Sequence, residues 1–208
     1  MQALVYRVKR EKDVMIELYS AENDTKSPVV HRRDVLKIGA IGALAATMPF
    51  LPRPSFAVSG NDAWRLNFRQ AHTGQTFSGV YRVGDKYLPD AFDRLNYVLR
   101  DFRTGDIFPM DPRVLDILNI IQSKTGSDKP FEILSGYRSP KTNAMLRKAS
   151  TGVARNSFHM YGQALDIRLP GFSTRRLREI ARSLRAGGVG FYPNSDFVHI
   201  DTGKVRTW

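Results

Sequence analysis

The sequence predicts an α+β domain, a small antiparallel sheet with helices packed around it. Apolar residues recur at helical spacing in several separated stretches. Between them lie short runs rich in β-branched and aromatic residues, the first two patterned as a hairpin. Connections are short and suit antiparallel neighbours, and no internal repeat or low-complexity tract is visible.

The elements follow in order. Trp64-Arg65-Leu66-Asn67-Phe68 alternates apolar and polar, as a half-buried strand does. His72-Thr73-Gly74-Gln75 reads as the turn and Phe77 to Val83 as the returning strand. From Asp90, the residues Ala91, Phe92, Leu95, Val98, Leu99 and Phe102 form a helical stripe. Asp111 caps a second helix with Pro112 in its first turn, and Val114, Ile117, Leu118 and Ile121 face inward. Phe131 to Leu134 is a short strand, and Ser139-Pro140 opens a third helix running to about Lys148. Ala164 to Leu169 is the next strand. Ser173 opens a fourth helix with Leu177, Ile180, Ala181 and Leu184 inward. The glycines of Gly187-Gly188-Val189-Gly190 break that helix, and Phe197 to Ile200 is the last strand.

Residues 1–57 are set apart from this domain. His31-Arg32-Arg33-Asp34-Val35-Leu36-Lys37 precedes an apolar, Gly/Ala-rich run from Ile38 to Leu51. Ser55-Phe56-Ala57 then offers small residues at the two positions a signal peptidase reads. The apolar run is shorter than the roughly 20 residues needed to cross a bilayer, so no stable membrane span is expected after cleavage. The paired arginines resemble a twin-arginine signal, which would make the Tat export machinery and signal peptidase partners and the periplasm the destination. Nothing in residues 1–30 assigns them a role. The division is therefore 1–57, an N-terminal extension plus signal peptide, and 58–208, the folded domain.

Composition narrows the chemistry. The chain of 208 residues has no Cys, which removes thiol nucleophiles, disulfides and thiolate metal sites. A metal would have to be held by His and carboxylates. Lys and Arg number 32 against 20 Asp and Glu, giving a net charge of +12 that favours polyanionic partners. Export and the lack of a recognisable nucleic-acid module shift that preference from nucleic acid to an acidic envelope polymer. The arginines Arg175, Arg176, Arg178, Arg182 and Arg185 fall largely on the polar side of a helix, as a solvated face also would.

Three histidines follow residue 57: His72, His159 and His199. His159 sits in a loop of Ser157-Phe158-His159-Met160-Tyr161-Gly162, and Asp166 is on the strand that follows. His199 lies on the strand Phe197-Val198-His199-Ile200-Asp201, its apolar neighbours alternating to the other face. If the two strands are adjacent, two imidazoles and one carboxylate meet, the donor set of a catalytic zinc site with one open position. The same residues fit a plainer reading, with His159 bonded to Asp166 as a structural pair and His199 a satisfied core residue. His72 sits in a hairpin turn and is left out of the site.

Ser157-x-His159-x-x-Gly162-x-Ala164-x-Asp166 followed by Asp196-x-x-His199 resembles the D,D-peptidase and hedgehog-like zinc peptidases, and within them the YcbK-like murein endopeptidases. Ser135-Gly136-Tyr137-Arg138-Ser139, Arg185-Ala186-Gly187-Gly188-Val189-Gly190-Phe191-Tyr192, Phe197 to Gly203 and the closing Arg206-x-Trp208 carry the likeness over essentially all of residues 58–208. The resemblance implies zinc held by His159, Asp166 and His199, with water at the fourth position. It implies Asp196, three residues before the last ligand, as general base, with Asp201 as its rival. It implies Arg138 as the cation that binds substrate or steadies the oxyanion, and Ser157 and Tyr192 as substrate contacts. Gly187, Gly188 and Gly190 would bring the backbone close at a cleft wall. The function it implies is hydrolysis of peptidoglycan cross-links, among them links between two diaminopimelate residues. The alternatives are a D,D-carboxypeptidase or dipeptidase of the same group, or a non-catalytic cell-wall-binding domain.

Overall fold

The computed structural model describes residues 62–150 and 152–208. The segment read as a twin-arginine-type signal, and the whole of residues 1–57, lie outside them. No helix among the described residues is long and apolar enough to cross a membrane.

An opening hairpin is formed by β1 (Ala63–Gln70) and β2 (Thr76–Val83), extended by the two-residue β3 (Lys86–Tyr87). Helix α1 (Pro89–Val98) and helix α2 (Pro112–Thr125) follow. After β4 (Phe131–Ser135) come α3 (Pro140–Ala149) and a single 3-10 turn, Phe158–Tyr161. The remainder is β5 (Ala164–Arg168), α4 (Thr174–Ser183), β6 (Gly188–Tyr192), a second 3-10 turn (Pro193–Ser195), β7 (Phe197–Asp201) and β8 (Arg206–Thr207). The helices start where the sequence provides caps. Asp111, Ser139 and Ser173 accept from the backbone N–H of Arg113, Thr142 and Arg176, filling donors a helix leaves unpaired. Gly126, in the left-handed region at φ 63°, ends α2.

All eight strands form one sheet in the order β3-β2-β1-β4-β5-β7-β6-β8. The α+β class holds, but the sheet is mixed, because β1 with β4 and β6 with β8 are parallel pairs. Both parallel pairings join strands brought together by a crossover, which short-range hairpin patterns do not specify. Two further expectations change. The α1 stripe does not continue to Phe102: the helix stops at Leu99, whose carbonyl accepts from Tyr137 N at 2.8 Å, and Phe102 stacks on His72 at 4.0 Å between centroids. Helix α4 ends before the glycines read as its breaker, and two of them, Gly188 and Gly190, belong to strand β6 between β7 and β8.

The sheet has two different faces near its centre. Leu165 and Ile167 of β5 and Val198 and Ile200 of β7 are fully buried in one apolar core with Leu115, Leu118 and Ile121 of α2 and Leu177 and Ala181 of α4. Each of the Leu, Ile and Val side chains contributes about 1.5–3 kcal/mol on burial. Alternation sends Asp166 and His199 to the opposite face. Helix α3 adds nothing to that core. Its buried residues are Thr142 and Asn143, and the Asn143 amide donates to the carbonyls of Ala154 and Arg155, holding the loop that leads to His159.

Asp101 ties this region together by accepting from the backbone N–H of Ser139 at 2.9 Å and of Arg103 at 3.0 Å. Burial acts to raise its pKa, but bonds from Thr142, Ser139 and Arg103 outweigh it and the pKa is lowered. Glu132 is lowered too, by bonds from Arg69 and Arg168. A carboxylate with a depressed folded pKa stabilises fully above its unfolded value of about 4 and loses that contribution as pH falls through the folded value. The contribution of these two carboxylates should therefore be constant from pH 7 to about 5, and the unfolding midpoint should drop steeply below about pH 4 as it is lost. Asp101→Asn should flatten that drop, and an unchanged acid slope would remove Asp101 from the account.

Candidate active site

Strands β5 and β7 are antiparallel neighbours with Asp166 directly opposite His199. The 3-10 turn before β5 carries His159 to the same place. Its terminus is fixed twice: Arg138 N donates to His159 O at 3.1 Å, and Asp111 N donates to Gly162 O at 2.9 Å. Asp111 also accepts from Thr202 Oγ1 at 2.9 Å, so the cap of α2 joins the His159 turn to the segment after His199.

The three side chains converge. His159 Nε2 lies 3.2 Å from Asp166 Oδ1 and 3.2 Å from His199 Nδ1, and His199 Nδ1 lies 2.8 Å from Asp166 Oδ1. All three residues are buried. The other nitrogen of each ring is already committed. His159 Nδ1 faces the Gly136 carbonyl at 2.8 Å, and His199 Nε2 faces Asp201 Oδ2 at 3.1 Å. A carbonyl and a carboxylate only accept, so each of those nitrogens carries the proton. In the neutral rings the two inward nitrogens are then lone pairs, aimed at each other and at a carboxylate oxygen. Three acceptors facing one another require a cation. With bonds of about 2.0–2.1 Å, tetrahedral zinc separates its ligand atoms by about 3.3 Å, close to the spacing found. Without a metal a proton fills the role. Burial lowers the His199 pKa, but bonds to Asp166 and Asp201 carry it up to about 9. Burial also raises Asp166, which the two imidazoles overcome, holding its carboxyl far below the usual range. His159 is lowered by burial despite Asp166.

The supports are as specific as the ligands. Asp201 is fully buried and accepts from Gly188 N, Gly203 N and both Arg206 terminal nitrogens as well as His199. Those donors keep it ionised, which fixes the His199 tautomer. A carboxylate so enclosed has no free lone pair facing solvent for a substrate proton. Gly136 presents its carbonyl to His159 because its Cα packs on Leu99, where a Cβ would lie 2.5 Å from the Leu99 carbonyl oxygen.

Arg138 stands beside the cluster, its Nη2 3.2 Å from Ser135 Oγ and 3.4 Å from Asp166 Oδ2, and its buried Nε has no protein partner among the described residues. Tyr192 stacks on Phe197 at 4.4 Å and its hydroxyl accepts from Trp208 Nε1 at 2.9 Å. Ser157 is buried at the start of the His159 turn and makes no capping bond with its side chain. Asp196 immediately precedes β7, at φ 50° after the Pro193–Ser195 turn. Its side chain is 61% exposed, bonded to Thr174 Oγ1 and 4.0 Å from Arg168, and it touches none of the three ligands. His72 is remote from the cluster in its contacts, stacked on Phe102. Sequence reasoning gave no role to Trp208, whose ring lies 5.4 Å from that of His199. The closing Arg206-x-Trp208 was the available signal.

An α+β domain with this cluster on its central strands has the hedgehog/D,D-peptidase-like fold. Residues 58–208 match the family model described as peptidoglycan L,D-endopeptidase MepK. The chain is 41% identical over 173 residues to the peptidoglycan L,D-endopeptidase MepK of Escherichia coli K12, covering 83% of this chain and 95% of that protein. It is 40% identical over 171 residues to the probable peptidoglycan L,D-endopeptidase MepK of Haemophilus influenzae, covering 81% and 92%. The chain belongs to the MepK family of peptidoglycan endopeptidases.

Proposed function

We propose that this protein is an exported, zinc-dependent murein endopeptidase that hydrolyses peptide cross-links of peptidoglycan in the periplasm, cutting L,D bonds as the names of its relatives describe. The observation that carries the reading is the set of three converging acceptors, His159 Nε2, Asp166 Oδ1 and His199 Nδ1, each ring pinned from behind. A binding-only wall domain has no need of that arrangement.

Zinc, when bound, supplies Lewis acidity that polarises a carbonyl and yields a nucleophile from water near neutral pH. The chain supplies everything else. His159, Asp166 and His199 hold the cation, and Gly136 O and Asp201 hold the two rings in the tautomers that expose their lone pairs. Arg138 offers a fixed positive charge and an Nε–H without a partner among the described residues, beside the ligands and suited to a developing oxyanion. Asp196 is the proposed base, reaching the site by leaving Thr174 and Arg168. Arg168 already holds Glu132 at 2.7 Å, so its 4.0 Å contact restrains Asp196 weakly. Tyr192 and Ser157 are proposed to line the substrate path.

Purified sacculi incubated with the protein should release muropeptides whose separation shows cut L,D cross-links, and a chelator should stop the release. Release that persists unchanged with chelator would remove the metal from the reading. Export rests on Arg32-Arg33 and the apolar run after them. Replacing both arginines with Lys should leave precursor inside the cell, and unchanged export would rule out the Tat route.

A further inference from the structure

We propose that Trp208 is a substrate-contacting specificity residue, its indole forming an apolar platform for the straight aliphatic arm of a diamino acid next to the scissile bond. The proposal rests on the endopeptidase reading and adds to it a named contact. Strand β8 runs parallel to β6 and delivers residue 208 to the site. Trp208 N donates to Val189 O and Phe191 N donates to Trp208 O, so its backbone is locked into the sheet edge.

The indole is placed as tightly. Its Nε1–H donates to the Tyr192 hydroxyl, and the Arg206 guanidinium lies 4.8 Å from its centroid. At Gly190 a Cβ would lie 2.7 Å from the indole, so the glycine makes the room that the ring occupies. The ring is 5.4 Å from that of the ligand His199, tilted by 49°. A peptide held at the metal site would therefore lie beside a ligand ring that the indole neighbours.

Trp208 is nevertheless 47% exposed. Its indole N–H donates to Tyr192, so what the exposed part of the side chain offers is aromatic carbon. Such a surface gains by covering methylenes, not by bonding a polar head group. A side chain with several methylenes in line covers it best, and Ala or Gly at the same position leaves it bare.

Two soluble peptides with the same scissile bond test this, one carrying a diamino acid with a long arm beside that bond and the other Ala. With Trp208→Ala, KM for the long-arm peptide should rise about 10- to 50-fold, as expected for losing the cover of two or three methylenes. Its kcat should stay within about threefold, KM for the Ala peptide should hardly move, and zinc content should be unchanged. Trp208→Phe should recover most of the preference. Independently of turnover, the long-arm peptide should produce a saturable change in tryptophan emission that is absent in Trp208→Phe and absent with the Ala peptide. Equal losses on both peptides, loss of zinc, or unaltered KM values would overturn the proposal and leave Trp208 a buttress of His199. If the unmodified protein cleaves neither peptide, the endopeptidase reading fails and the emission titration alone decides the platform. If cleavage is normal while emission ignores the long arm, the platform fails and the endopeptidase reading stands.

Discussion

His159→Ala and His199→Ala are expected to abolish hydrolysis of cross-linked muropeptides and zinc retention together. Each removes one of three donors, and the remaining imidazole and carboxylate do not make the closed side of a four-coordinate site. The folded state should survive in weakened form. His159 bonds to the Gly136 carbonyl, and its loss leaves that buried acceptor unpaired at a cost of about 1–3 kcal/mol, less than the stability of an ordinary domain. His159→Gln, which fills more of the space, is the companion variant. Cooperative thermal unfolding, metal analysis and muropeptide release measured on the same samples separate the effects. Normal zinc content in both His variants would sink the ligand assignment.

Asp196→Asn and Asp201→Asn are expected to fail in opposite ways. Asp196 is exposed and holds no ligand, so its amide variant should keep zinc and fold while turnover drops about 10²–10⁴-fold, the usual cost of losing a general base. Asp201 is enclosed by His199, Arg206, Gly188 and Gly203. Its amide variant removes the charge that fixes the His199 tautomer and leaves Arg206 without its counter-ion. Zinc affinity should fall about 10- to 100-fold, with activity returning when zinc is added in excess. Near-normal turnover in Asp196→Asn would mean that the base lies elsewhere, with Arg138-ordered water the next group to test. Unchanged zinc affinity in Asp201→Asn would reduce Asp201 to a link between β7 and β8.

Much of the fold was legible because its signals are local. The stripes of α2 and α4 and the caps Asp111, Ser139 and Ser173 specify helices from within a few residues of themselves. Strand β6 was not legible. Gly188 and Gly190 are glycines because Asp201, Arg206 and Trp208 occupy the space where side chains would be, a tertiary reason that local pattern cannot show. The parallel pairing of β1 with β4 is hidden for the same reason.

The candidate site divides along a similar line. His159, Asp166 and His199 stood out as the chemistry-bearing members of two short motifs, while the antiparallel pairing of β5 with β7 that brings them together was only a condition in the sequence reading. What holds the rings did not stand out, since the Gly136 carbonyl has no sequence signature and Asp201 reads equally well as base or support. Asp196 was assigned as base by its place in the family motif, and local pattern gives no sign that its backbone sits in the left-handed region. Trp208 reaches His199 only because β8 pairs with β6.

The central claim is that one cation at His159, Asp166 and His199 makes this chain a peptidase. Stepwise return of zinc to chelator-stripped protein, with muropeptide release followed at each addition, tests it most directly. Activity should be absent at the start, rise in proportion to zinc and level off at about one equivalent per chain. Full activity in the stripped protein, or none at any zinc level in a folded sample, would contradict it.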